Sequence, residues 1–327
     1  MQIGIVGMGF MGATHLRAFQ QIAGAQVAAI CSTDERVLSG DLTHVGGNLG
    51  QVGAKYDFSS MRKWKQWQDL AADPELDAID ICLPTDLHEV VAEAAMGAGK
   101  HVYCEKPMAL SVAGCQRMIE QARRNRRILM IGQVLRFWPE YLALKQFVKE
   151  APHGQLHHAR FVRSCGLPDW SKWLPVEERS GGAVMDLLIH DIDQALMLFG
   201  MPSRVEARSL DGGDNISATL SYEQGLHVQI EGGWFAPGTP FSMNFQAGTE
   251  RASLELTPDG LFLNEGRGRL EITVPKNDAY HEEAAYFVKC CETGLEPELC
   301  LPQHSAKAVE LAVLLKESRA RGEAIEC

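Results

Sequence analysis

The first residues of the chain combine an apolar strand pattern, three glycines and an amphipathic helix. Residues 2–6 are mostly apolar, and Gly7, Gly9 and Gly12 follow directly, at the start of a pattern with helical spacing. In a dinucleotide-binding turn, the first glycine permits the tight turn, the second lets the backbone approach pyrophosphate, and the third allows close packing of helix on strand. A glycine-rich turn alone is a weak signal, but in this context it predicts a dinucleotide with its phosphates at the helix N-terminus.

Further apolar strand patterns follow the glycine turn. Four of them, at residues 26–31, 78–83, 101–104 and 128–132, are separated by helical patterns. Near-continuous apolar strands that alternate with helices are typical of a doubly wound parallel sheet covered on both faces. We therefore predict an α/β Rossmann domain over residues 1–124.

After about residue 150 the pattern changes, and 327 residues in total are too many for one hydrophobic core, so we predict a second domain over residues 125–327. Short strand patterns separated by turn residues occur at 156–163, 205–209, 217–222, 226–232, 241–246, 252–256 and 270–274. Helical patterns cover residues 182–199, 279–291 and 305–321. We expect an α+β domain with a large, mainly antiparallel, open-faced sheet that shapes the substrate pocket. Because an uncovered sheet face has to be buried, we also expect a homodimer or homotetramer formed through this sheet.

Charge and cysteine content limit the classes of partner. The formal net charge is −11, which argues against a nucleic-acid surface, and the basic run at residues 123–127 is explained by a helix C-terminus. None of the nine cysteines forms a Cys-x-x-Cys pair, and no apolar run approaches the roughly 18 residues of a membrane span. With no signal segment before the first strand, we expect a cytoplasmic protein that binds neither membrane nor metal.

The second strand ends without the acidic residue that usually holds the adenosine ribose of NAD. Ser32 stands at that position, followed by Thr33, and a hydroxyl with Arg36 nearby can accept the 2′-phosphate of NADP. Alternatively, Asp34 or Glu35 reaches the ribose and NAD binds. The sequence leaves NAD and NADP open, with a slight preference for NADP.

A short polar segment follows a later strand of the predicted parallel sheet. Glu105 and Lys106 come after that strand, at the carboxyl edge where open α/β sheets bind ligands, and Pro107 restricts the local backbone. Alone, a Glu-Lys-Pro sequence is typical of a solvated turn. Its position makes Lys106 a candidate functional residue.

A second polar set lies in a mostly apolar helical pattern. Asp186 and His190 are four residues apart, a spacing that places carboxylate and imidazole on one helix face, where the carboxylate can orient the ring. Asp193 extends the same stripe. Several charged groups among leucines and isoleucines require a specific reason, since burial of an unpaired charge is costly.

Together these residues resemble the glucose-fructose oxidoreductase and inositol dehydrogenase family of NAD(P)-dependent enzymes, over essentially the whole chain. The marks are Gly7-x-Gly9-x-x-Gly12, Pro84-Thr85 with His88, Ala98-Gly99-Lys100-His101-Val102 before Glu105-Lys106-Pro107, and Asp186-x-x-x-His190-x-x-Asp193. Two departures matter. Leu188 stands where the family often has glycine, and Ser32 replaces the usual ribose-binding acid.

The resemblance implies hydride transfer between the nicotinamide and a carbinol or carbonyl carbon of a sugar, polyol or derivative. Lys106 would hydrogen-bond the reacting oxygen, His190 would be the general acid/base, and Asp186 would orient it. Expected cofactor contacts are Gly7, Gly9, Phe10, Met11, Gly12, Ser32, Thr33, Arg36, Leu83, Pro84, Thr85, His88, Glu105 and Lys106. Expected substrate contacts are Arg136, Trp173 and Asp193.

Two other functions are compatible with the same fold. One is a glycosidase that oxidises its substrate transiently and re-reduces it, as some related proteins do. The other is a non-catalytic dinucleotide-binding sensor. The joint presence of Lys106, Asp186 and His190 argues against a sensor, which needs no proton-transfer groups.

Overall fold

The computed structural model describes residues 1–47, 53–150, 154–168, 170–266 and 268–327. Two compact units are present. The first consists of Met1–Val134 with Asp278–Ala306, and the second of Leu135–Asn277 with Lys307–Cys327. Each unit is built around its own sheet.

The first unit contains a parallel sheet. Its strands within the described ranges are β1 (Gln2–Val6), β2 (Gln26–Cys31), β3 (Arg62–Trp64), β4 (Ala78–Ile81), β5 (His101–Glu105) and β6 (Leu129–Gly132). They pair in parallel in the order β3-β2-β1-β4-β5-β6. The central strands are mostly apolar because both faces are covered, and every residue of β4 and β6 is buried. The doubly wound prediction is confirmed, and the strand order reverses at β1 and β4, where such sheets bind ligands.

The second unit contains a larger sheet. Its strands are β7 (Leu156–Gly166), β8 (Arg204–Ser209), β9 (Ile216–Ser221), β10 (His227–Phe235), β11 (Ser242–Thr249), β12 (Ala252–Thr257), β13 (Gly260–Glu265), β14 (Gly268–Glu271) and β15 (Ile325–Glu326). The order is β14-β13-β12-β11-β7-β10-β9-β8-β15, and only the pair of β7 and β10 is parallel among the strands described. The prediction of a mainly antiparallel sheet is confirmed.

One face of the second sheet is apolar and the other is polar. Along β9, Ile216, Ala218 and Leu220 are buried, whereas Ser217 and Thr219 between them keep partial exposure. Such alternation is the pattern of an antiparallel strand with one face on a core. The polar face of this sheet can therefore remain in contact with water. Its burial in an oligomer is less strongly required than an uncovered apolar face would demand.

The helices within the described residues connect and cover these sheets. They are α1 (Phe10–Phe19), α2 (Glu35–Leu38), α3 (Trp67–Ala71), α4 (His88–Gly97), α5 (Val112–Asn125), α6 (Pro139–Glu150), α7 (Glu177–Ser180), α8 (Gly182–Asp186), α9 (Ile189–Phe199), α10 (Ala279–Thr293) and α11 (Pro302–Arg321). Among these helices, none combines the length and hydropathy needed to cross a membrane.

The division into units differs from the boundary predicted after residue 124. Strand β6 lies beyond that boundary but pairs with β5 through Leu129 and Val102, so it completes the parallel sheet. Helix α10, which begins after the capping residue Asp278, packs against α1 of the first unit. The strand pattern at residues 128–132 already indicates a strand of this sheet, so the predicted boundary was placed too early. The packing of α10 on α1 joins distant parts of the chain, and local sequence patterns do not report such a contact.

Other differences concern single elements. The helical pattern at residues 182–199 forms two helices, α8 and α9, with Leu187 and Leu188 between them. The backbone amides of both leucines donate to the carbonyl of Ala183, so the regular hydrogen-bond ladder stops there. Periodicity cannot reveal such a break, because the apolar face continues across it. In addition, β14 precedes most of the strand pattern at 270–274, and β3, β13 and β15 were not predicted.

Candidate cofactor and active site

The glycine turn after β1 has the geometry that the sequence predicts. Gly7 has a φ of +94°, and a Cβ atom on it would lie 2.3 Å from the carbonyl oxygen of Cys82, directly after the neighbouring strand β4. A Cβ atom on Gly12 would lie 2.0 Å from the carbonyl oxygen of Gly7. Both sites therefore exclude any side chain, the first also by its backbone conformation.

Gly9 differs from the other two glycines in the space around it. It is exposed, and a Cβ atom there would have no neighbour within 4 Å among the described residues. Gly9 is also the N-cap of α1, which has neither a side-chain cap nor an acidic residue in its first turn. Within the described ranges, the first turn of α1 therefore has no capping side chain and no acidic residue of its own, an arrangement that fits a pyrophosphate.

Phe10 and Met11, both partly exposed, form the first turn of α1 beside this opening. The Phe10 ring lies against the backbone of Gly47, since a Cβ atom on Gly47 would overlap it. Across the turn, Thr85 is 2% exposed and its hydroxyl has no hydrogen-bond partner within the described ranges. An unsatisfied buried hydroxyl of this kind also fits a bound group.

At the carboxyl end of β2, the polar groups bond mainly to one another. The Ser32 hydroxyl accepts a hydrogen bond from the amide of Asp34 at 3.1 Å, and the Asp34 carboxylate caps α2 by accepting the amide of Arg36 at 2.8 Å. The Arg36 guanidinium donates to Asp41 at 2.9 Å and to Thr43 at 2.8 Å. The hydrogen bond from Arg36 lowers the pKa of Asp41.

These contacts bear on the choice between NAD and NADP. Asp34 is engaged in capping α2, and its second carboxylate oxygen lies 3.2 Å from His44. Thr33 and Glu35 are exposed. Arg36 is half exposed at the surface, so its guanidinium can reach a ligand, but a 2′-phosphate would have to compete with Asp41.

The segments that follow β4 and β5 are joined through His88. This ring is 1% exposed, with Nδ1 2.8 Å from the carbonyl oxygen of Pro107 and Nε2 2.9 Å from that of Leu83. Burial lowers the pKa of His88 and outweighs the two carbonyl contacts. The buried His88 ring thus contacts both segments, while Leu83 and Pro84 keep partial exposure at the edge of the sheet.

Lys106 is the accessible residue of the segment after β5. In the fully described residues 102–109, Lys106 alone keeps partial exposure, and the residues on both sides are buried. Glu105 accepts the backbone amide of Lys106 at 3.1 Å, and the peptide bond between Lys106 and Pro107 is cis. The segment is thus a packed element that presents one amine, which differs from the solvated turn its sequence alone would suggest.

Asp186 and His190 show the same exposure pattern in the second unit. Of the fully described residues 180–195, only these two keep partial exposure. Asp186 is the last residue of α8, and His190 lies in the first turn of α9. The break between the helices replaces the continuous helix face that the sequence predicts.

Two buried ion pairs hold the first turns of α9. Arg136 donates from Nε and Nη2 to Asp193 at 2.8 and 2.6 Å, and Arg163 of β7 donates in the same manner to Asp191 at 2.7 and 3.0 Å. Burial alone would lower the pKa of Arg163, but the charge of Asp191 raises it above the ordinary value. Since Asp191 and Asp193 follow His190 within three residues, the pairs fix the turn of α9 that carries this ring.

These contacts give Arg136 and Asp193 a structural explanation. Their side chains are 4% and 1% exposed, and two nitrogens of Arg136 bond to the two carboxylate oxygens of Asp193. Trp173, the other expected substrate contact, keeps partial exposure in the turn before α7.

Sequence reasoning missed the pair of Arg163 and Asp191. A signal was available, because Arg163 falls on the inward positions of β7, in register with the buried residues Phe161 and Cys165. A charged residue on the buried face of a strand indicates a buried partner.

Comparisons with known proteins agree with these features. Residues 1–133 match a family model described as "Oxidoreductase family, NAD-binding Rossmann fold", and residues 141–255 match the GFO/IDH/MocA C-terminal domain. A myo-inositol 2-dehydrogenase of Thermotoga maritima is 32% identical over 212 residues, which cover 65% of this chain and 58% of that protein. A D-xylose 1-dehydrogenase (NADP(+)) of Haloferax volcanii is 27% identical, with 100% of this chain and 99% of the relative covered.

The fold is similar to that of solved oxidoreductases. An aldose-aldose oxidoreductase of Caulobacter crescentus superposes with a TM-score of 0.85 at 20% identity, covering 100% of this chain and 99% of the other. The chain spans only 53% to 58% of the length of several inositol dehydrogenases that it matches. The two family models together with the glycine turn establish the relationship: the chain belongs to the GFO/IDH/MocA family of oxidoreductases.

Proposed function

We propose that this protein is an NAD(P)-dependent dehydrogenase that oxidises a CH–OH group of a sugar, a polyol or a derivative. The observation that carries the proposal is selective exposure: Lys106 is the accessible residue of one otherwise buried segment, and Asp186 and His190 are the accessible residues of another. An amine, a carboxylate and an imidazole kept open in this way are the groups needed for proton transfer beside a nicotinamide.

Each side chain has a distinct role in the proposed reaction. Bound NAD(P) supplies the hydride acceptor for the carbinol carbon. His190 takes the proton from the substrate hydroxyl, and Asp186 orients the imidazole for that transfer. Lys106 donates a hydrogen bond to the same oxygen and stabilises its developing negative charge. The carbon loses a hydride and the oxygen a proton, which balances the oxidation of an alcohol to a carbonyl compound.

The substrate class is supported by relatives named inositol and xylose dehydrogenases. Trp173, partly exposed, is proposed as a substrate contact, because an indole face can stack on a sugar ring. Arg136 and Asp193 are proposed to act on the substrate indirectly, through the α9 backbone that they hold.

For the cofactor, we propose NADP in preference to NAD. The exposed Arg36 beside Ser32 offers a guanidinium to a 2′-phosphate, while Asp34 is engaged with α2 and His44. The rest of the cofactor site is proposed to be lined by the glycine turn, Phe10, Met11, Thr33, Thr85 and the partly exposed Leu83 and Pro84. His88 and Glu105 are proposed to shape that site from beneath.

The test is a panel of polyols and sugars with NAD and with NADP, followed by the absorbance of the reduced nicotinamide. We expect turnover of at least one compound, lost in the Lys106→Met and His190→Ala variants. Hydrolysis of an aryl glycoside with no net reduction of the cofactor would replace the proposal by the transient-oxidation glycosidase. Cofactor binding without turnover of any compound would leave a dinucleotide sensor.

We also propose a cytoplasmic location and a dimer or tetramer formed through the second sheet. All nine cysteines are free thiols, which are typical of a reducing compartment. The polar face of the sheet would associate through hydrogen bonds and ion pairs rather than through apolar burial. Light scattering at micromolar concentration tests the assembly, and a monomer contradicts it.

A further inference from the structure

A buried network of charged groups lies inside the first unit, beneath the segment that carries Lys106. At its centre is His15 of α1, which is 1% exposed. Its Nδ1 lies 3.0 Å from both carboxylate oxygens of Asp80 on β4, and its Nε2 lies 3.1 Å from Oε1 of Glu105 on β5. One ring thus connects the ends of two neighbouring strands.

The ring itself is firmly placed. Tyr103 stacks on it with ring centroids 4.8 Å apart and an angle of 9° between the planes. The Tyr103 hydroxyl donates to Glu283 of α10 at 2.7 Å, and Tyr280 lies 6.5 Å from His15 between centroids. Stacking and two carboxylates together leave His15 a single orientation.

The contacts favour the imidazolium form of His15. A neutral ring has one N–H and would present a lone pair to one of the two carboxylates, whereas the cation hydrogen-bonds Asp80 and forms an ion pair with Glu105 at 3.1 Å. Burial alone would lower the pKa of His15, but the charge of Asp80 and its hydrogen bond raise it well above the ordinary value. Burial raises the pKa of Asp80.

Cys82 lies near the same ring, with Sγ 3.4 Å from Nδ1 of His15. With Asp80 these residues have the types and spacing of metal ligands. A metal would require the thiolate, but burial raises the pKa of Cys82 far above neutrality. The cluster is therefore better explained as a proton-bearing network than as a metal site.

Glu105 transmits the position of His15 to Lys106. Its Oε1 faces His15, while its Oε2 accepts the backbone amide of Lys106 at 3.1 Å. Burial would raise the pKa of Glu105, but hydrogen bonding to His15 and the positive charges of His15 and Lys106 lower it below the ordinary value. Glu105 is thus an anion fixed at both oxygens.

We propose that His15 is a positioning residue for Lys106: it holds the Glu105 carboxylate in the orientation that fixes the Lys106 backbone. The role of Lys106 in turnover rests on the proposed function, whereas the link from His15 to the Lys106 amide does not. Displacement of a catalytic group by about 1 Å costs on the order of 10²-fold in rate, so such support has a measurable effect.

The first experiment requires no substrate. Hydrogen–deuterium exchange of the Lys106 amide is compared in the wild type and in His15→Gln. We expect exchange at least about tenfold faster in the variant, since Glu105 loses its second anchor. The matched control is Tyr103→Phe, which keeps the stacked ring and removes a hydroxyl from the same cluster, and there the exchange should be unchanged. Equal protection of Lys106 in the wild type and in His15→Gln overturns the proposal.

The second experiment measures turnover with the best polyol. His15→Gln should lower kcat by about tenfold or more, with little change in the KM for the cofactor. If His15 acts through Glu105, the double variant His15→Gln, Glu105→Gln should lose no more than Glu105→Gln alone. Losses that multiply in the double variant overturn the proposal. If the wild type oxidises no compound, the proposed function fails while the exchange experiment still decides the role of His15.

A third measurement uses the wild type alone and does not depend on any variant folding. Nitrogen-15 NMR of histidine-labelled protein at about pH 8, above the ordinary histidine range, should show both ring nitrogens of the buried His15 protonated. The buried ring of His88, whose pKa is lowered, should carry one proton at this pH, so the ring signals are first assigned to residues. A His15 ring with one protonated nitrogen at that pH overturns the proposal.

Discussion

Arg163 and Asp191 form an ion pair whose side chains are 3% and 1% exposed, joined by two hydrogen bonds of 2.7 and 3.0 Å. Arg163 also donates to the hydroxyl of Tyr141 at 3.1 Å. The pair connects the central strand β7 to the residue immediately after His190. A charge pair in the core thus supports the helix turn that carries the proposed general acid/base.

Asp191→Asn should destabilise the protein by about 3–5 kcal/mol, because it leaves the Arg163 cation buried without its counter-ion. Urea unfolding measures the change. The matched control is Glu231→Gln. Glu231 pairs with Arg160, which lies on β7 like Arg163, but the side chains of Arg160 and Glu231 are 48% and 26% exposed. That change should cost about 1 kcal/mol or less. Equal losses in the two variants would contradict the assignment.

Lys106→Met and His190→Ala should each lower kcat by about 10²–10⁴-fold, because each removes a group acting on the substrate oxygen in the transition state. Cofactor affinity, measured by titration, should change little. Lys289→Met, at an exposed position of α10, is the control and should leave both quantities unchanged. Normal turnover in either site variant removes that residue from the proposed mechanism.

Arg36→Ala should weaken the binding of NADP by about tenfold and leave that of NAD nearly unchanged, because it removes the guanidinium proposed to pair with the 2′-phosphate. Asp41→Asn should have the opposite effect on NADP, since it frees Arg36 from a competing carboxylate. Fluorescence titration with both reduced cofactors provides the dissociation constants. Parallel changes for NAD and NADP would show that Arg36 does not discriminate between them.

Gln194→Leu should stabilise the protein by about 1 kcal/mol. Gln194 is fully buried, and neither atom of its amide has a hydrogen-bond partner within the described ranges, so an apolar side chain of similar shape removes a desolvation cost. Gln133→Leu is the matched control. Gln133 is also buried, but it donates to Ser305, and its replacement should be destabilising. Thermal unfolding compares the two, and a loss of stability in Gln194→Leu would reveal a bound partner for the amide.

The stability contributed by His15 should fall at alkaline pH. Its pKa in the folded protein lies well above the ordinary value, because Asp80 and its hydrogen bond outweigh burial. A raised pKa gives stability that is complete below the unfolded value of about 6.5 and is lost as the pH rises towards the folded value. The difference in unfolding free energy between the wild type and His15→Gln should therefore shrink from about pH 6 upward. A difference that grows with pH would contradict the charged state of His15.

The sequence by itself determined the features that local patterns encode. Gly7, Gly9 and Gly12 predicted a dinucleotide turn, because a glycine has no Cβ atom and so allows backbone conformations and close contacts that other residues do not. The apolar strands predicted the parallel sheet, because its strands are buried on both faces. The residues of the proposed site, Lys106 and His190, were identified through a resemblance that covers several separate motifs.

Only the tertiary structure decided which distant groups meet. It placed α10 in the first unit, paired Arg163 with Asp191, and brought His15, Asp80 and Glu105 together from three elements. It also interrupted the helix between Asp186 and His190. Ion pairs and hydrogen bonds of this kind join residues far apart in sequence, and their partners depend on how strands and helices are arranged in space. Periodicity, which reports only the environment of one element, does not contain that information.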